Sequence, residues 1–581
     1  MFLPYAGYVT RISDPPPLPK EPEPSFSSPL LKIGLLEIAK SSPNKTEYNN
    51  NYFIKNYLSI SLDRWDSMGL PTGLSVYFIY ILHFTKKGRF LRSFLVADCI
   101  DFLHILGYHI KVKIYNAGVL DMMKNTDKTM EKIVALCKGR GFIFAGSEIY
   151  GGLANTWDYG PLGARMKNNV KDTWRKRFIQ ERKNSYEVDA DILMHPRVWE
   201  ASGHVASFSD PLLDCKECKM RHRADNLIDD FDPEAHADGM TKEEMFEYIK
   251  AHSIPCPKCG KHNFTGIREF NLMFQTFRGV TNDSKSVIYL RPENAQGEYV
   301  NYLNVQRTMR AKLPFSIGQI GKAFRNEITP GNFTFRTIEF EQMEFQTFCK
   351  EGTDTELYDY FKEYGMKYYQ DLGIKAENLR YHDHEKLAHY AKAACDIEFL
   401  FPFGWGEING THNRTNFDLT RHQEYSGQKM DYLDPETNEK YIPFIIESTY
   451  GLDRTVLAVL CEAYEEEVID AEKNDTRVVL HLSPAIAPFK AAVLPLSKKL
   501  SPDALKVYEK LQKKFMVDFD ETGSIGKRYR REDEIGTPIC ITFDFESLED
   551  NCVTVRDRDT MQQERISIDA LEDYIAARIN F

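Results

Sequence analysis

The sequence predicts an α/β protein of the α+β kind, in which an antiparallel sheet is flanked by helices. Residues 322–348 alternate in polarity on both sides of a Thr-Pro-Gly-Asn turn, which is typical of an antiparallel hairpin. Residues 161–181 place apolar side chains at four-residue steps, which indicates an amphipathic helix. Residues 476–581 alternate strand-like and helix-like segments, which predicts a separate C-terminal α/β domain.

The composition is that of a soluble protein with several domains. The chain has 581 residues, a formal net charge of −11 and 42% hydrophobic residues. These values exclude a small disulfide scaffold, a fibrous protein and a globally disordered chain. Because a local basic face can act inside an acidic protein, the net charge does not exclude a nucleic acid as partner.

Cysteine usage and hydropathy indicate the compartment. Eleven cysteines are too sparse for a secreted disulfide framework. The longest apolar run, Leu74–Phe84, is about half as long as the roughly 20 residues that a membrane helix needs. We therefore expect a cytoplasmic protein with no membrane partner, in which this run forms a buried strand or helix.

Residues 1–122 differ from the rest of the chain. They contain a proline-rich cluster at Pro15–Pro24, whereas a helix-like pattern through Met130, Ile133 and Cys137 begins shortly after them. Three interpretations stay open for this segment: a small accessory domain, a flexible appendage, or an upstream extension read from the wrong start codon.

Further elements are predicted in chain order. The helix of residues 161–181 begins at Pro161 and is followed by a strand over Asp189–Pro196. Thr241 and Glu244 form a capping box that opens another helix. The C-terminal tract is predicted to contain strands at Val478–Leu482, Lys490–Pro495 and Pro538–Phe543, and a helix at Pro502–Phe515.

Two Cys-x-x-Cys pairs lie within a segment of about residues 213–262. Cys215 and Cys218 form the first pair, and Cys256 and Cys259 form the second. Four thiolates satisfy the tetrahedral coordination of Zn²⁺ and leave no open position for catalysis. We therefore predict a structural zinc-knuckle insertion, with free thiols or a redox pair as the alternatives.

Charged residues concentrate on the predicted hairpin and on a later strand-to-helix junction. The hairpin carries Arg325, Glu327, Arg336, Glu339, Glu341 and Glu344. At the junction, Glu447 lies on a strand, Gly451 follows, and Asp453 and Arg454 open a helix. An arginine fixed there can bind a phosphate bidentately. Taken alone, a salt-bridged surface hairpin and a surface helix cap are the alternatives.

Together these segments resemble the paired signature of class II aminoacyl-tRNA synthetases. Residues 324–344 are similar to motif 2, residues 451–454 to motif 3, and the helix and strand ending at Pro196 to motif 1. More narrowly, the sequence resembles glycyl-tRNA synthetases of the homodimeric type. The segments that carry this likeness are Arg140–Gly163, Ala201–Pro211, Arg221–Asp225, Tyr289–Gly297 and Gly404–Leu419. The resemblance covers roughly residues 125–581.

The resemblance implies a glycine–tRNA ligase that forms glycyl-adenylate from glycine and ATP and transfers glycine to the 3′ end of tRNA(Gly). It places Arg325 at the α-phosphate, Glu327 at the adenine amino group, and Arg336 and Arg454 at the γ-phosphate. Phe340 would stack on adenine. The alternative is a noncatalytic paralogue that binds RNA or acts as an accessory subunit, and such a protein is expected to lose the motif arginines.

The implied ATP site extends beyond these residues. It comprises Arg325, Asn326, Glu327, Phe335, Arg336, Thr337, Ile338, Glu339, Phe340, Glu407, Ile408, Gly451, Leu452, Asp453 and Arg454. Glu407 and Ile408 match the strand that flanks ATP and its Mg²⁺ ions.

The implied glycine site is a pocket of carboxylates that pair with the ammonium group and leave no room for a β-carbon. It comprises Arg223, Glu293, Phe340, Glu341, Gln342, Met343, Glu344, Glu447, Ser448, Thr449, Tyr450 and Gly451. The chain departs from the family pattern at Ser448 and Thr449, where proline and serine are frequent.

The resemblance also implies the domain organisation and the partners. Residues 123–475 would form the catalytic domain with its zinc-knuckle insertion, and residues 476–581 an anticodon-binding domain. Arginines of Lys527–Asp533 and Val555–Asp559, expected on loops or strands, are candidates for tRNA contacts, with a solvated charged surface as the alternative. The implied partners are tRNA(Gly) and a second copy of the chain in a homodimer.

Overall fold

The computed structural model describes residues 53–64, 74–83, 108–115, 128–232, 235, 237, 240–280, 286–327, 331–384, 387, 391–470, 472–473 and 475–581. The chain divides into two compact units, Met1–Asp121 and Met122–Phe581. The proline-rich cluster Pro15–Pro24 lies outside the described residues. In the part that the structure describes, no helix has the length and apolar character needed to cross a membrane.

The first unit contains an antiparallel sheet. Its strands are β1 (Phe53–Arg64), β2 (Leu74–His83) and β3 (Tyr108–Tyr115), in the order β2-β1-β3. The long apolar run therefore forms strand β2, and the burial of its side chains lies outside what the structure describes.

The second unit contains the remaining elements. Its helices are α1 (Met130–Arg140), α2 (Pro161–Trp174), α3 (Pro196–Ala201), α4 (His204–Ser207), α5 (Ala224–Phe231), α6 (Lys242–Ala251), α7 (Ala295–Thr308), α8 (Asp354–Asp371), α9 (Phe417–Ser426), α10 (Leu452–Ala463), α11 (Ser501–Leu511), α12 (Ile525–Ile535), α13 (Ser547–Asp550) and α14 (Leu571–Arg578). Its strands are β4 (Ile143–Ala145), β5 (Trp157–Tyr159), β6 (Ser185–Glu187), β7 (Ser209–Asp214), β8 (Arg221–Arg223), β9 (Arg268–Asn271), β10 (Gln275–Phe277), β11 (Val287–Tyr289), β12 (Phe315–Phe324), β13 (Glu339–Cys349), β14 (Leu379–Asp383), β15 (Ala393–Phe401), β16 (Gly404–Asn413), β17 (Tyr432–Leu433), β18 (Lys440–Tyr441), β19 (Phe444–Gly451), β20 (Tyr464–Asp470), β21 (Asp475–Leu480), β22 (Ala491–Pro495), β23 (Val517–Phe519), β24 (Ile539–Phe543), β25 (Cys552–Asp557) and β26 (Gln563–Ser567).

A seven-stranded sheet positions the candidate site. Its order is β14-β15-β16-β19-β13-β12-β6, and every neighbouring pair is antiparallel except β6 with β12. Strands β12 and β13 form the predicted hairpin, with Phe324 opposite Glu339. Strand β19 leads directly into α10, as the sequence predicts. The sheet therefore brings both charged segments side by side.

The first half of the motif 1-like segment is confirmed and the second half is wrong. Helix α2 begins at Pro161 and buries Met166, Val170 and Trp174, as the four-residue spacing predicts. The strand predicted over Asp189–Pro196 is absent; the described strand is β6, and residues 189–195 run outside the sheet with one bridge from Leu193 to Leu290. Alternation predicts an extended backbone, but a strand also needs a neighbour to pair with.

The cysteine-bearing segment forms a small unit of its own. Strands β7, β8 and β9 pair antiparallel in the order β8-β7-β9, and α5 and α6 pack beside them. The capping box at the start of α6 is confirmed, because the Glu244 amide donates to the Thr241 hydroxyl and the Glu244 carboxylate accepts from the Thr241 amide.

The C-terminal domain contains a five-stranded sheet in the order β23-β22-β24-β25-β26, in which β22 is parallel to both of its neighbours. The predicted strands at Lys490–Pro495 and Pro538–Phe543 correspond to β22 and β24. The segment Val478–Leu482 falls in β21, which pairs with β20 outside this sheet. Residues 527–533, expected on a loop or strand, lie in helix α12.

Candidate active site and metal centre

Three arginines, two from the β12–β13 hairpin and one from the start of α10, line one cavity of about 100 Å³ beside the seven-stranded sheet. Of the residues expected around a nucleotide, those that line it are Arg325, Glu327, Phe335, Arg336, Thr337, Phe340, Glu407, Ile408, Gly451, Asp453 and Arg454. They come from the β12–β13 hairpin, from β16 and from the β19–α10 junction. The sheet thus assembles segments that are more than 100 residues apart in the chain.

The other four expected nucleotide-site residues have structural partners. The Asn326 amide donates to the Leu272 carbonyl, and the Ile338 amide donates to the Asn155 carbonyl. Glu339 pairs with Lys322, and Leu452 is buried in the core. Asn326 and Ile338 therefore anchor the hairpin on neighbouring segments.

Arg454 is held beside the cavity by a ring and three oxygens, one of which is the Glu407 backbone carbonyl, 3.0 Å from Nη1. Its guanidinium lies 4.3 Å from the centre of the Phe335 ring, and its Nε donates to the Phe335 carbonyl at 3.1 Å. Its Nη1 lies 3.0 Å from the Glu407 carboxylate. Desolvation raises the pKa of Glu407, but the charge and hydrogen bond of Arg454, together with the charges of Arg325 and His412, outweigh it, so the pKa is lowered and the carboxylate stays ionised.

Arg325 lies between two aromatic rings at the mouth of the cavity. Its guanidinium is 5.3 Å from the ring centres of both Phe208 and Phe340, and its Nε donates to the Pro292 carbonyl at 3.2 Å. The rings fix the plane of the guanidinium, and the single bond through Nε leaves the two terminal nitrogens for an anion.

Arg336 lies deeper in the cavity, with Nη1 3.8 Å from the Glu327 carboxylate. Burial is the main cause that lowers its pKa, opposed by Glu327 and assisted by the positive charges of Arg223 and Arg454. Arg223 is itself paired with Asp225 at 2.5 Å and Asp210 at 3.0 Å. Each of these three arginines thus faces at least one carboxylate at this end of the site.

Acidic and hydroxyl side chains line the adjoining part of the sheet. In the pairing of β13 with β19, Thr449 lies opposite Glu344, and Glu447 lies opposite Gln346. The Thr449 hydroxyl donates to Glu344 at 2.6 Å. Glu293 lies nearby, where His204 at 3.3 Å and the Gln296 amide at 2.9 Å fix its carboxylate.

These carboxylates do not share one protonation state. Burial raises the pKa of Glu447, but Arg414 and His412 outweigh it and bring the pKa to about 2. Burial likewise opposes His204 at Glu293, whose pKa is lowered. At Glu344, burial and the neighbouring Glu447 charge raise the pKa well above its ordinary value. The site therefore holds two carboxylates whose pKa is lowered and one, Glu344, that keeps its proton to a higher pH than an ordinary glutamate.

Glu341, Met343, Ser448 and Tyr450 alternate with these side chains along the β13–β19 pair, and of these four Glu341 also lines the cavity beside Arg325 and Arg454. The Glu341 carboxylate pairs with Lys167 at 2.7 Å and Lys171 at 2.5 Å. Met343 and Tyr450 are buried in the core on the same side of the sheet, where Tyr450 packs 4.9 Å from the Phe178 ring. Ser448 is fully buried. Contiguous stretches of sequence are thus split into two sets of side chains.

Two buried residues of the pocket region were missed by sequence reasoning. The Arg414 guanidinium donates to Glu447 at 3.1 Å and forms two bonds to Asp418, at 2.7 and 2.9 Å. Asp418 lies four residues after Arg414, in the first turn of α9. The four-residue spacing of opposite charges at a helix start was the available signal.

The four cysteines have the arrangement expected of a metal centre. All four sulfurs lie within 4.8 Å of one another, with Cys215 and Cys259 at 3.6 Å and Cys218 and Cys256 at 3.7 Å. A ZnS₄ tetrahedron with Zn–S bonds of about 2.3 Å has edges of about 3.8 Å, whereas a disulfide bond is about 2.05 Å long. The donor set and its spacing therefore fit Zn²⁺.

The two knuckles share one backbone design. The amide four residues after the first cysteine of each pair, Lys219 or Gly260, donates to that cysteine's carbonyl, and both residues adopt a positive φ. This turn points both sulfurs of a pair to the same side.

Several of the arginines proposed from the sequence for tRNA contacts are used inside the C-terminal domain. Arg528, Arg556 and Arg558 are buried. Arg556 binds Asp533 at 2.8 Å, and Arg558 binds Asp559 at 2.7 Å. Lys527 is exposed and Arg531 is more than one third exposed, so they are better placed to meet a partner.

Comparison with known proteins agrees with this architecture. Residues 276–464 match the family model of the tRNA synthetase class II core domain (G, H, P, S and T), and residues 490–578 match that of the anticodon binding domain. The chain is similar to the glycine–tRNA ligase of Clostridium beijerinckii, with 62% identity over 462 residues, which are 78% of this chain and 99% of the relative. It is also similar to that of Caldanaerobacter subterraneus subsp. tengcongensis, with 61% identity over 459 residues and the same coverage of both chains.

Proposed function

The chain belongs to the class II glycine–tRNA ligases, and from this premise we propose how its own residues activate glycine. In the reaction, the glycine carboxylate attacks the α-phosphate of ATP, which forms glycyl-adenylate and releases pyrophosphate. A ribose hydroxyl at the 3′ end of tRNA(Gly) then attacks the acyl carbon and releases AMP. Both nucleophiles come from the substrates, so the protein contributes positioning and charge stabilisation.

Arg325 is the residue that stabilises the α-phosphate in this proposal. Negative charge increases there during the displacement, and a preorganised guanidinium stabilises it without reorganising. The support is its fixed position between Phe208 and Phe340, with one backbone bond. Phe340 also offers its ring to adenine, and Glu327 lies on the same hairpin to accept from the adenine amino group.

Arg336 and Arg454 bind the γ-phosphate. Both line the cavity, and Arg454 is held by Glu407 and Phe335 in a position that a bidentate phosphate contact can use. Glu407 fits Mg²⁺ as well, since it is ionised and binds Arg454 through one carboxylate oxygen, which leaves the other for a hard cation. Mg²⁺ bound there would neutralise phosphate charge next to Ile408.

Glycine is recognised by Glu293 and Glu447, with Glu344 and Thr449 beside them. An ammonium group carries three donors, and the two ionised carboxylates supply charged acceptors for it. Glu344, whose pKa is raised by burial and by the Glu447 charge, adds a polar side chain that is harder to ionise than its neighbours. In this assignment Glu341, Met343, Ser448 and Tyr450 support the strands from the other face, while Gln342 and Gly451 shape the floor.

Residues 189–195 carry the proposal of a homodimer. Exposure alternates along them, with Asp189, Asp191 and Leu193 exposed and the residues between them half-buried, which is the pattern of a strand without its neighbour. In the described part of the chain this backbone makes one bridge. We assign its missing neighbour to a second copy of the chain.

The other domains have the roles that follow from the family. Residues 123–475 form the catalytic domain, residues 476–581 bind tRNA(Gly) at the anticodon, and residues 1–122 are not required for activation. The reduced cysteines fit a cytoplasmic protein.

Amino-acid-dependent exchange between ATP and pyrophosphate tests the activation step. Full-length protein and a chain that begins at Met123 are assayed with each of the twenty amino acids. We expect exchange with glycine alone, at the same rate in both chains. Folded protein without exchange for any amino acid would contradict the proposal and favour a noncatalytic paralogue.

Zinc content tests the metal centre. We expect about one Zn²⁺ per chain in purified protein and loss of most of it in Cys256→Ser, because three sulfurs no longer close the coordination shell. Cys552→Ser, which changes a cysteine far from the cluster, is the matched control and keeps its zinc. An unchanged metal stoichiometry in Cys256→Ser would reject the four-cysteine site.

A further inference from the structure

A continuous chain of buried polar side chains connects the two ionised walls of the glycine pocket. It starts at Glu293, passes through Gln296, Asp418 and Arg414, and ends at Glu447. Gln296 is fully buried, Asp418 is 2% exposed and Arg414 is 6% exposed. None of these three linking residues belongs to the motif segments that identify the nucleotide site.

We call this chain of side chains from Glu293 to Glu447 the bridge, and its contacts range from 2.7 to 3.4 Å. The Gln296 Nε2 donates to Glu293 at 2.9 Å and lies 3.4 Å from Asp418. Asp418 accepts from Nε and Nη2 of Arg414 at 2.7 and 2.9 Å, and Arg414 Nη1 donates to Glu447 at 3.1 Å. His422 completes the bridge, since its Nε2 lies 2.9 Å from Gln296 Oε1.

Asp418 and Glu447 receive unequal numbers of hydrogen bonds from the Arg414 guanidinium. Asp418 takes a bidentate pair of N–H groups, and Glu447 takes one donor from the other side of the guanidinium. With Asp418 present, the trio of Asp418, Arg414 and Glu447 carries a net charge of −1. Without the Asp418 charge, the remaining Arg414–Glu447 pair would be neutral, and its attraction for an ammonium group would fall.

We propose that Asp418 is a positioning residue for glycine recognition. It balances the charge of Arg414, so that Arg414 holds the Glu447 carboxylate in place while the pocket keeps its negative charge for the substrate ammonium. The Asp418 carboxylate also contacts Gln296, which binds Glu293, and in this way Asp418 sets the distance between Glu293 and Glu447. This inference rests on the glycine pocket assigned under the proposed function, and it adds the group that maintains the pocket's charge.

The test uses two ligands that differ only in the ammonium group. One is a glycyl-sulfamoyl adenosine, and the other is its acetyl counterpart, which lacks the amine. The dissociation constant of the acetyl ligand divided by that of the glycyl ligand, both measured by calorimetry on the full chain, reports recognition of the ammonium alone. A purely structural role would weaken both ligands equally and leave the ratio unchanged.

We expect Asp418→Asn to lower this ratio by about 30-fold, the range for losing one charge-assisted contact. Asp503→Asn, an exposed carboxylate paired with Lys506, is the matched control and should not change the ratio. An unchanged ratio in folded Asp418→Asn overturns the inference. Glu447→Gln distinguishes failure of this inference from failure of the proposed glycine pocket. If it also leaves the ratio unchanged, the glycine pocket itself is wrongly assigned.

Gln296→Met keeps the inference testable if Asp418→Asn does not fold. This substitution removes the amide link and changes no charge. We expect a smaller fall in the ratio, about fivefold, because Glu293 keeps His204 as a partner. An unchanged ratio in this variant would equally count against the bridge.

Discussion

The two faces of the paired strands β13 and β19 both carry buried carboxylates. We assign those of one face to substrate binding and that of the other face to stability. On one face, Glu447 and Glu344 are almost fully buried beside the cavity-lining Thr449, among groups that lower the pKa of Glu447 and raise that of Glu344. On the other face, the Glu341 carboxylate is closed in by two lysines, which lower its pKa against the opposing effect of burial.

The difference lies in what surrounds each carboxylate. Glu341 meets more positive charge than it carries, and Lys167 is shared with Asp453 at 2.6 Å, so this group is a closed ionic lock between α2, β13 and α10. Glu447 meets the His412 ring at 3.0 Å and one guanidinium that is already paired with Asp418. We therefore assign the carboxylate with fewer cationic partners to the ligand and the one held by two lysines to the fold.

The largest expected effect is on the cavity face. Arg325→Ala should reduce glycine-dependent pyrophosphate exchange by about 1,000-fold, because it removes the preorganised cation at the α-phosphate. The melting temperature should change little, since the side chain makes one hydrogen bond to the protein. Exchange at the wild-type rate would remove Arg325 from the α-phosphate.

The ionic lock should affect stability rather than substrate binding. Glu341→Gln leaves two lysines facing a neutral group, and we expect it to lower the free energy of unfolding by about 2 kcal/mol. Glu439→Gln, in an exposed pair with Lys350, is the control and should leave the free energy of unfolding nearly unchanged. Urea unfolding measures both. A stable Glu341→Gln that fails to bind glycine would reverse the assignment of the two faces.

The smallest effects are pH dependences of opposite sign within the cavity face. The folded-state pKa of Glu447 is about 2, below the unfolded value of about 4.3, so its ionised form stabilises the fold above pH 4.3 and this contribution is lost towards pH 2. Wild type should therefore lose stability relative to Glu447→Gln as the pH falls through that window.

Glu344 should behave in the opposite way. Its pKa is raised, so above about pH 4.3 the unfolded chain ionises while the folded carboxyl keeps its proton, and the fold loses stability as the pH rises. Glu344→Gln should gain stability relative to wild type as the pH rises above about 4.3. Parallel pH profiles for the Glu447 and Glu344 variants would show that their protonation states are not separated.

Sequence reasoning found the elements whose signals are local. The hairpin of β12 and β13, the β19–α10 junction, the capping box at Thr241 and the four-cysteine cluster all follow from short spacings. The strand predicted over Asp189–Pro196 failed because a strand depends on a neighbour. Likewise, β21 pairs with β20, which sequence alternation alone does not specify.

The site was predicted more completely for the nucleotide than for glycine. Arg325, Arg336 and Arg454 lie at motif positions, and all three line the cavity. Apart from Arg223 and Glu293, the glycine set was two contiguous stretches, 340–344 and 447–451, and the pleat sends alternate residues of each to opposite faces. Asp418 was missed because its role depends on its contact with Arg414 and on the burial of both side chains. The motifs used to identify the site specify neither of these.

The most direct test of the division between the two faces is the KM for glycine in the matched pair Glu447→Gln and Glu341→Gln, with the KM for ATP measured alongside. The account predicts that Glu447→Gln raises the glycine KM by about 30-fold with little change for ATP, and that folded Glu341→Gln changes neither value. Equal increases in the glycine KM for both variants would contradict it.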